Sequence, residues 1–284
     1  MKYNLSMFDS IKDALNKQQT QSSGSRDIMS FEKGNTYVIR LLPNMKDPEK
    51  TWFKYQTFAW NSFATGQYTS AISPISWGER DPIAEERIKI YRTGTDADKE
   101  KIKSVRRSER WLMKVYVVAD PTNPDNNGKV KLIRFGKQLF NIINNAISGE
   151  DSDEFGARVF DLGANGVNFK IKVTEQGGYT NYTESRFTSP TDLKLTEQQI
   201  EDIYNQGGNL ETVYTCRAYD DLKKLFDEHY YCKGSESVAT HSIATHSNVA
   251  HAITSNDSEA TPFDVSSESD VDEDEKMRKL ISSL

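Results

Sequence analysis

Apolar residues in this chain alternate with polar ones over short runs more often than they recur at helical spacing. That pattern predicts a mainly β body with α additions. Residues 36–42 (TYVIRLL) read as a strand closed by Pro43, and residues 52–58 as a second. Residues 111–119 (WLMKVYVVA) form a central strand with Trp111, Met113, Val115 and Val117 on one face. Leu112, Lys114, Tyr116 and Val118 share the other face. Burying the odd set gives Lys114 and Tyr116 to a ligand, while Trp111, beside Arg110, suits either side. A turn of Asp, Pro, Asn and Gly leads into another strand, 129–135 (KVKLIRF), and residues 167–173 (VNFKIKV) alternate as cleanly.

Helical spacing marks residues 81–91, entered at Pro82, a segment carrying Leu139, Phe140, Ile143 and Ile147, and residues 196–204 and 219–231. Residues 1–20 add a short amphipathic helix with Ser6 as cap and Phe8, Ile11 and Leu15 on one face. The pattern fails over 59–80, which reads as an irregular, compact insertion continued by a charged loop over 93–103. Three regions follow: an arm and linker at 1–26, a folded core at 27–232 with the insertion at about 59–103, and a low-complexity linker and tail at 233–284. The linker repeats ATHS and spaces His241, His246 and His251 five apart.

Charge changes this picture. The chain carries −6 overall, but residues 235–284 hold ten acids against three bases, leaving +1 for residues 1–234. Residues 102–137 hold nine Lys/Arg against three acids: Lys103, Arg106, Arg107, Arg110, Lys114, Lys129, Lys131, Arg134 and Lys137. Cations interleaved with Trp111 and Tyr116 suit a strand of nucleic acid, with cations on phosphates and aromatic faces on bases. Tyr179 and Tyr182, after the lysine-bearing strand 167–173, extend the candidate surface. The acidic end, with Met277, Leu280, Ile281 and Leu284, fits a segment that orders on a partner's groove.

Enzymatic chemistry is not expected: the chain lacks GxxxxGK, HExxH and GxSxG, and no carboxylate pair is spaced for shared acid–base work. Cys216, His229 and Cys232 are a weak zinc-like set, equally explained by packing. No apolar run approaches the roughly 20 residues of a membrane span. No secretory leader is evident, so an intracellular protein with reduced cysteines is expected.

With VIRLLP (38–43), VVADPTNPDNNGKVKLIRFGK (117–137), GVNFKIKVTEQGGYTNYTESRF (166–187) and an acidic tail with an apolar end, the chain resembles the single-stranded DNA-binding (helix-destabilising) proteins of T-even-type bacteriophages. The resemblance is strongest over about 103–190. It implies an oligonucleotide-binding (OB) barrel with a basic, aromatic-lined cleft, an N-terminal self-association arm and a disordered acidic tail that binds replication proteins through residues 270–284. Carried over residue by residue, the cleft takes Arg106, Arg107, Arg110 and Trp111, then Arg134 and Lys137 of the Arg-Phe-Gly-Lys strand end, then Tyr179 and Tyr182. The reading from charge adds Lys114, Tyr116, Lys129 and Lys131.

Two departures stand out. Family members hold zinc through one His and three Cys, the last two as Cys-Pro-x-Cys, whereas this chain has Asp81-Pro82-Ile83-Ala84 and no His or Cys across 55–100. No zinc is expected there, with Trp60, Phe63, Tyr68 and Trp77 packing the insertion instead. The arm also lacks the family's cluster of bases beside Ser/Thr. The expected role is a single-stranded DNA-binding protein of phage replication, recombination and repair, acting in the cytoplasm of the infected host. An RNA-binding repressor and a protein-interaction adaptor are the alternatives.

Overall fold

The computed structural model describes residues 28–206 and 208–233, so the helix and self-association role expected of the arm, the histidine linker and the whole acidic tail lie outside the described residues. Within them the chain forms two compact units, one from residues 28–56 and Glu109–Cys216, the other from Thr57–Ser108 and residues 217–233. Strands β3 (Trp52–Asn61) and β5 (Arg106–Ala119) run from one unit into the other.

The first unit is a twisted sheet in the order β1 (Ile28–Met29), β6 (Val130–Phe135), β5, β2 (Thr36–Leu41), β7 (Val167–Lys172), β10 (Arg186–Pro190). β1 pairs parallel with β6, and the other neighbours are antiparallel. Period-2 alternation assigns the inner face. Tyr37, Ile39 and Leu41 of β2, Trp111, Met113, Val115 and Val117 of β5, Ile133 and Phe135 of β6, and Phe169 and Ile171 of β7 make one buried cluster. Helix α3 (Lys137–Ser148) closes this face with Leu139, Ile143 and Ala146, spaced i, i+4, i+7. Trp111, Met113, Val115 and Val117 are therefore buried as their alternation predicts.

The opposite face is not open at one end. Helix α4 (Glu197–Asn205) lies over it, packing Ile203 with Leu42, Tyr116 and Leu162. A capping box between Thr196 and Gln199 starts this helix. Beneath it Arg40 is fully buried. Its Nε donates to Asn168 Oδ1 at 2.8 Å, its Nη1 to the carbonyls of Asp161 (2.8 Å) and Gly163 (3.0 Å), and its Nη2 to the Thr191 carbonyl. Burial lowers the pKa of the guanidinium, an effect opposed by Asp161 and then Tyr204 and Asp192. Gly166 makes the approach feasible: a Cβ there would fall 1.9 Å from the Asp161 carbonyl oxygen and 2.2 Å from Arg40 Nη1. A small hairpin of β8 (Thr174–Gln176) and β9 (Tyr179–Asn181) turns through Gly177 and Gly178, both at positive φ.

The second unit is more regular than its sequence predicts. The 57–61 end of β3 pairs antiparallel with β4 (Tyr68–Ile72), where an irregular stretch is expected. Helices α1 (Pro82–Thr93), α2 (Asp96–Ile102) and α5 (Tyr219–His229) follow. The charged loop expected over 93–103 is largely α2, started by a Thr95/Asp98 capping box. Only Ile102 of that helix is buried, which is why no apolar period reveals it. The core joins Phe58, Trp60, Ala71, Ile83, Ile90, Ile102 and Val105 to Leu222, Phe226 and Tyr230. Of the four aromatics expected to pack the insertion, Trp60 is in this core, Trp77 is half-buried, and Phe63 and Tyr68 are exposed.

At the position of the family's Cys-Pro-x-Cys, Asp81 is an N-cap. Its carboxylate accepts from the Ile83 and Ala84 amides at 2.7 and 3.1 Å and from the Ser73 hydroxyl. His229 Nδ1 lies 3.0 Å from Ser62 Oγ. Among the described residues no three His, Cys, Asp or Glu side chains are grouped to hold a metal. No helix among them is long and apolar enough to cross a membrane.

Candidate nucleic-acid interface

The register of β5 against β6 sorts the basic residues of the first unit. Trp111 pairs with Phe135, Met113 with Ile133 and Val115 with Lys131, all on the inner face. Leu112 pairs with Arg134, Lys114 with Leu132 and Tyr116 with Val130, all on the outer face. Arg110 joins the outer set by alternation. Lys131 and Arg134 therefore point to opposite sides of one strand, although a count of charges groups them. Arg134, Lys129 and Lys137 are exposed, and Arg110 and Lys131 are half-buried. Arg106 and Arg107 belong to the second unit, where Arg106 is exposed and Arg107 half-buried.

Three expected contacts have other surroundings. Trp111 is only 3 % exposed. Its ring stacks on Phe140 at 4.2 Å between centroids and 13° between planes, and more distantly on Phe135 at 6.2 Å. As an inner-face residue it packs core, and a base reaches its face only by displacing a neighbour. Tyr116 is 9 % exposed because α4 covers its part of the outer face. Lys114 is half-buried, and its Nζ donates to the carbonyls of Gln206 and Gly208, each at 3.1 Å, just past the C-terminal end of α4. Desolvation holds its pKa below the ordinary lysine value. Each of the three has protein neighbours: Phe140 and Phe135 for Trp111, the cluster under α4 for Tyr116, and two carbonyls for Lys114.

The aromatic pair after β7 divides. Tyr179 is 47 % exposed at the tip of the β8–β9 hairpin. Tyr182 packs on the main core, edge-on to Phe31 at 6.4 Å, with its amide donating to Gln138 Oε1 at 3.0 Å.

Other residues of this surface escape a sequence reading. On β3, Lys54 sits on the inner side, 2.5 Å from Glu109 and 5.6 Å from the Trp111 ring centroid. Phe53 and Tyr55 therefore face the outer side with Arg110 and Arg134. Their rings stack at 5.8 Å and 16°, and Tyr214 lies on Tyr55 at 5.0 Å and 51°, with the two hydroxyls 3.4 Å apart. Burial chiefly, and then Tyr214, push the Tyr55 phenol well above its ordinary pKa, and the charges of Arg134 and Arg110 pull it back. The strand pattern at 52–58 could have flagged Tyr55; Tyr214 lies in an irregular segment with no periodic signal.

Residues 32–228 match the family model described as gp32 DNA binding protein like. The chain is 27 % identical over 227 residues to the single-stranded DNA-binding protein of Enterobacteria phage T4, covering 73 % of each sequence. It is 25 % identical over 202 residues to the single-stranded DNA-binding protein of Enterobacteria phage T2, covering 67 % of this chain and 64 % of that relative.

Proposed function

The chain belongs to the gp32 DNA binding protein like family, and from that premise we propose that it binds single-stranded DNA without enzymatic activity. The observation that carries this reading is the coincidence of the matched span with a sheet face on which Arg110 and Arg134 stand beside stacked aromatic rings. Guanidiniums neutralise phosphates and release counterions, and aromatic faces accept any base, so binding is salt-sensitive and tolerant of sequence. Lys129, Lys137 and Tyr179 supply further contacts on the first unit, and Arg106 and Arg107 are the candidate contacts of the second unit.

The finer parts of the reading are proposals of the same kind. The order β2, β5, β6, α3, β7, β10, with β2 pairing both β5 and β7, is compatible with a partly open five-stranded Greek-key barrel of the OB type. The arm at 1–26 associates with the next copy along the strand, and the acidic segment 270–284 recruits replication proteins. No zinc is held at 81–84. The protein serves phage replication, recombination and repair in the cytoplasm of the infected host.

The test is a fluorescence titration of the full-length chain with poly(dT) at several salt concentrations, alongside the Arg106→Ala/Arg107→Ala variant. Tight quenching that weakens with salt is expected, with a slope shallower in the variant by about 0.7 for each phosphate it no longer neutralises. Absence of binding at low salt rejects the reading in favour of a protein-interaction adaptor. Preference for poly(rU) in competition makes RNA the ligand.

A further inference from the structure

We propose that Tyr214 is a base-stacking residue of this chain, the outer ring of a pile supported by Phe53 and Tyr55 and bordered by Arg110 and Arg134. The inference rests on the single-stranded DNA reading and names a contact that neither the charge pattern nor the resemblance supplies.

The pile has a buried and an accessible end. Phe53 and Tyr55 are 7 % and 2 % exposed, so neither can meet a base, while Tyr214 is half-buried and retains accessible surface. Its neighbours fix its position. Lys114 holds the carbonyls of Gln206 and Gly208 at the start of the segment, and Asn209 Oδ1 accepts from the Glu211 amide at 3.0 Å. Leu210 is buried, Glu211 lies 3.8 Å from Lys50, and the Tyr214 hydroxyl meets that of Tyr55. A ring held this way loses little conformational freedom when a base stacks on it, which favours binding. Arg134, opposite Leu112, and Arg110 share the outer face with Tyr55, so cations stand on the same face as the ring, as binding of a nucleotide's phosphates requires. Lys114 is thus a positioning residue, acting through the segment that carries Tyr214.

Stacking and plain packing predict different behaviour for substitutions of equal bulk. The full-length chain and its Tyr214→Phe, Tyr214→Leu and Tyr214→Ala variants are titrated with poly(dT) across a range of salt, with melting temperatures recorded in parallel. Phe keeps the π face and is expected to bind as the wild type does. Leu keeps apolar bulk on Tyr55 but offers no π face; with Ala it is expected to weaken binding by about 5- to 150-fold with an unchanged salt slope. Wild-type affinity in the Leu variant overturns the proposal even if Ala binds poorly, because the weakness of Ala would then reflect missing bulk. A weakening in Phe equal to that in Ala overturns it as well, shifting the effect to the hydroxyl pair with Tyr55. A shallower slope in Leu also overturns it, since only cations on phosphates release counterions. Failure of the wild type to bind poly(dT) at all is a separate result, rejecting the functional reading itself.

Discussion

The two ends of one sheet face carry the same kinds of side chain in different employment. At the end under α4, Arg40 and Lys114 direct their donors at protein carbonyls, and Tyr116 packs in an apolar cluster. At the other end Arg134 is exposed, Arg110 is half-buried, and the ring pile of Phe53, Tyr55 and Tyr214 lies beside them. Both ends would look equally suited to nucleic acid if judged by charge and aromatic content. The second layer separates them. A cation already donating to protein carbonyls must give up those bonds to reach a phosphate, while Arg134 presents an exposed guanidinium.

Substitutions at the two ends should therefore be read out by different instruments. The largest effect is expected for Arg40→Met, which leaves the buried Asn168 Oδ1 and three part-buried carbonyls without their donor. At about 1–3 kcal/mol for each such group, the loss of stability should exceed about 3 kcal/mol in urea unfolding. A variant as stable as the wild type would show that the cradle is not structural.

Lys114→Met should cost less, about 1–2 kcal/mol, because two carbonyls near a helix end lose a charged donor. The salt slope of DNA binding should stay unchanged. The pH dependence gives a second readout. The folded-state pKa of Lys114 is lowered from 10.5 by burial, so the folded chain sheds its proton before the unfolded chain does. Wild-type stability should gain a contribution from Lys114 as pH rises between the lowered value and 10.5, and the Met variant should lack it. A shallower salt slope in Lys114→Met would erase the distinction between the two ends.

Arg134→Ala should have the smallest effect on stability, within about 0.5 kcal/mol, as expected for an exposed position. It should nevertheless reduce the salt slope by about 0.7, the share of one phosphate on a single strand. An unchanged slope would move the phosphate path off this end of the face.

How far the residues themselves announce this arrangement differs from element to element. The alternation of residues 111–117 is legible because burying one face of a strand forces a period of two, and every odd position there is buried. Helix α3 is legible through Leu139 and Ile143 for the corresponding reason. Helix α2 hides because it buries one residue, although Thr95 and Asp98 spell its capping box. At residues 81–84 the sequence shows that cysteines are missing; the fold adds that Asp81 caps a helix there.

By itself the sequence determined the strands at 36–42, 52–58, 111–119, 129–135 and 167–173, the inner face of β5, the basic stretch at 102–137 and the family resemblance, since all of these are local in the chain or carried by short motifs. Only the tertiary structure decided which cations are engaged by protein carbonyls, which aromatics are sealed in a core, and that Tyr214 meets Tyr55 across 159 positions of chain. Alternation assigns a side chain to a face, but whether that face meets water or another layer depends on segments far away in the sequence.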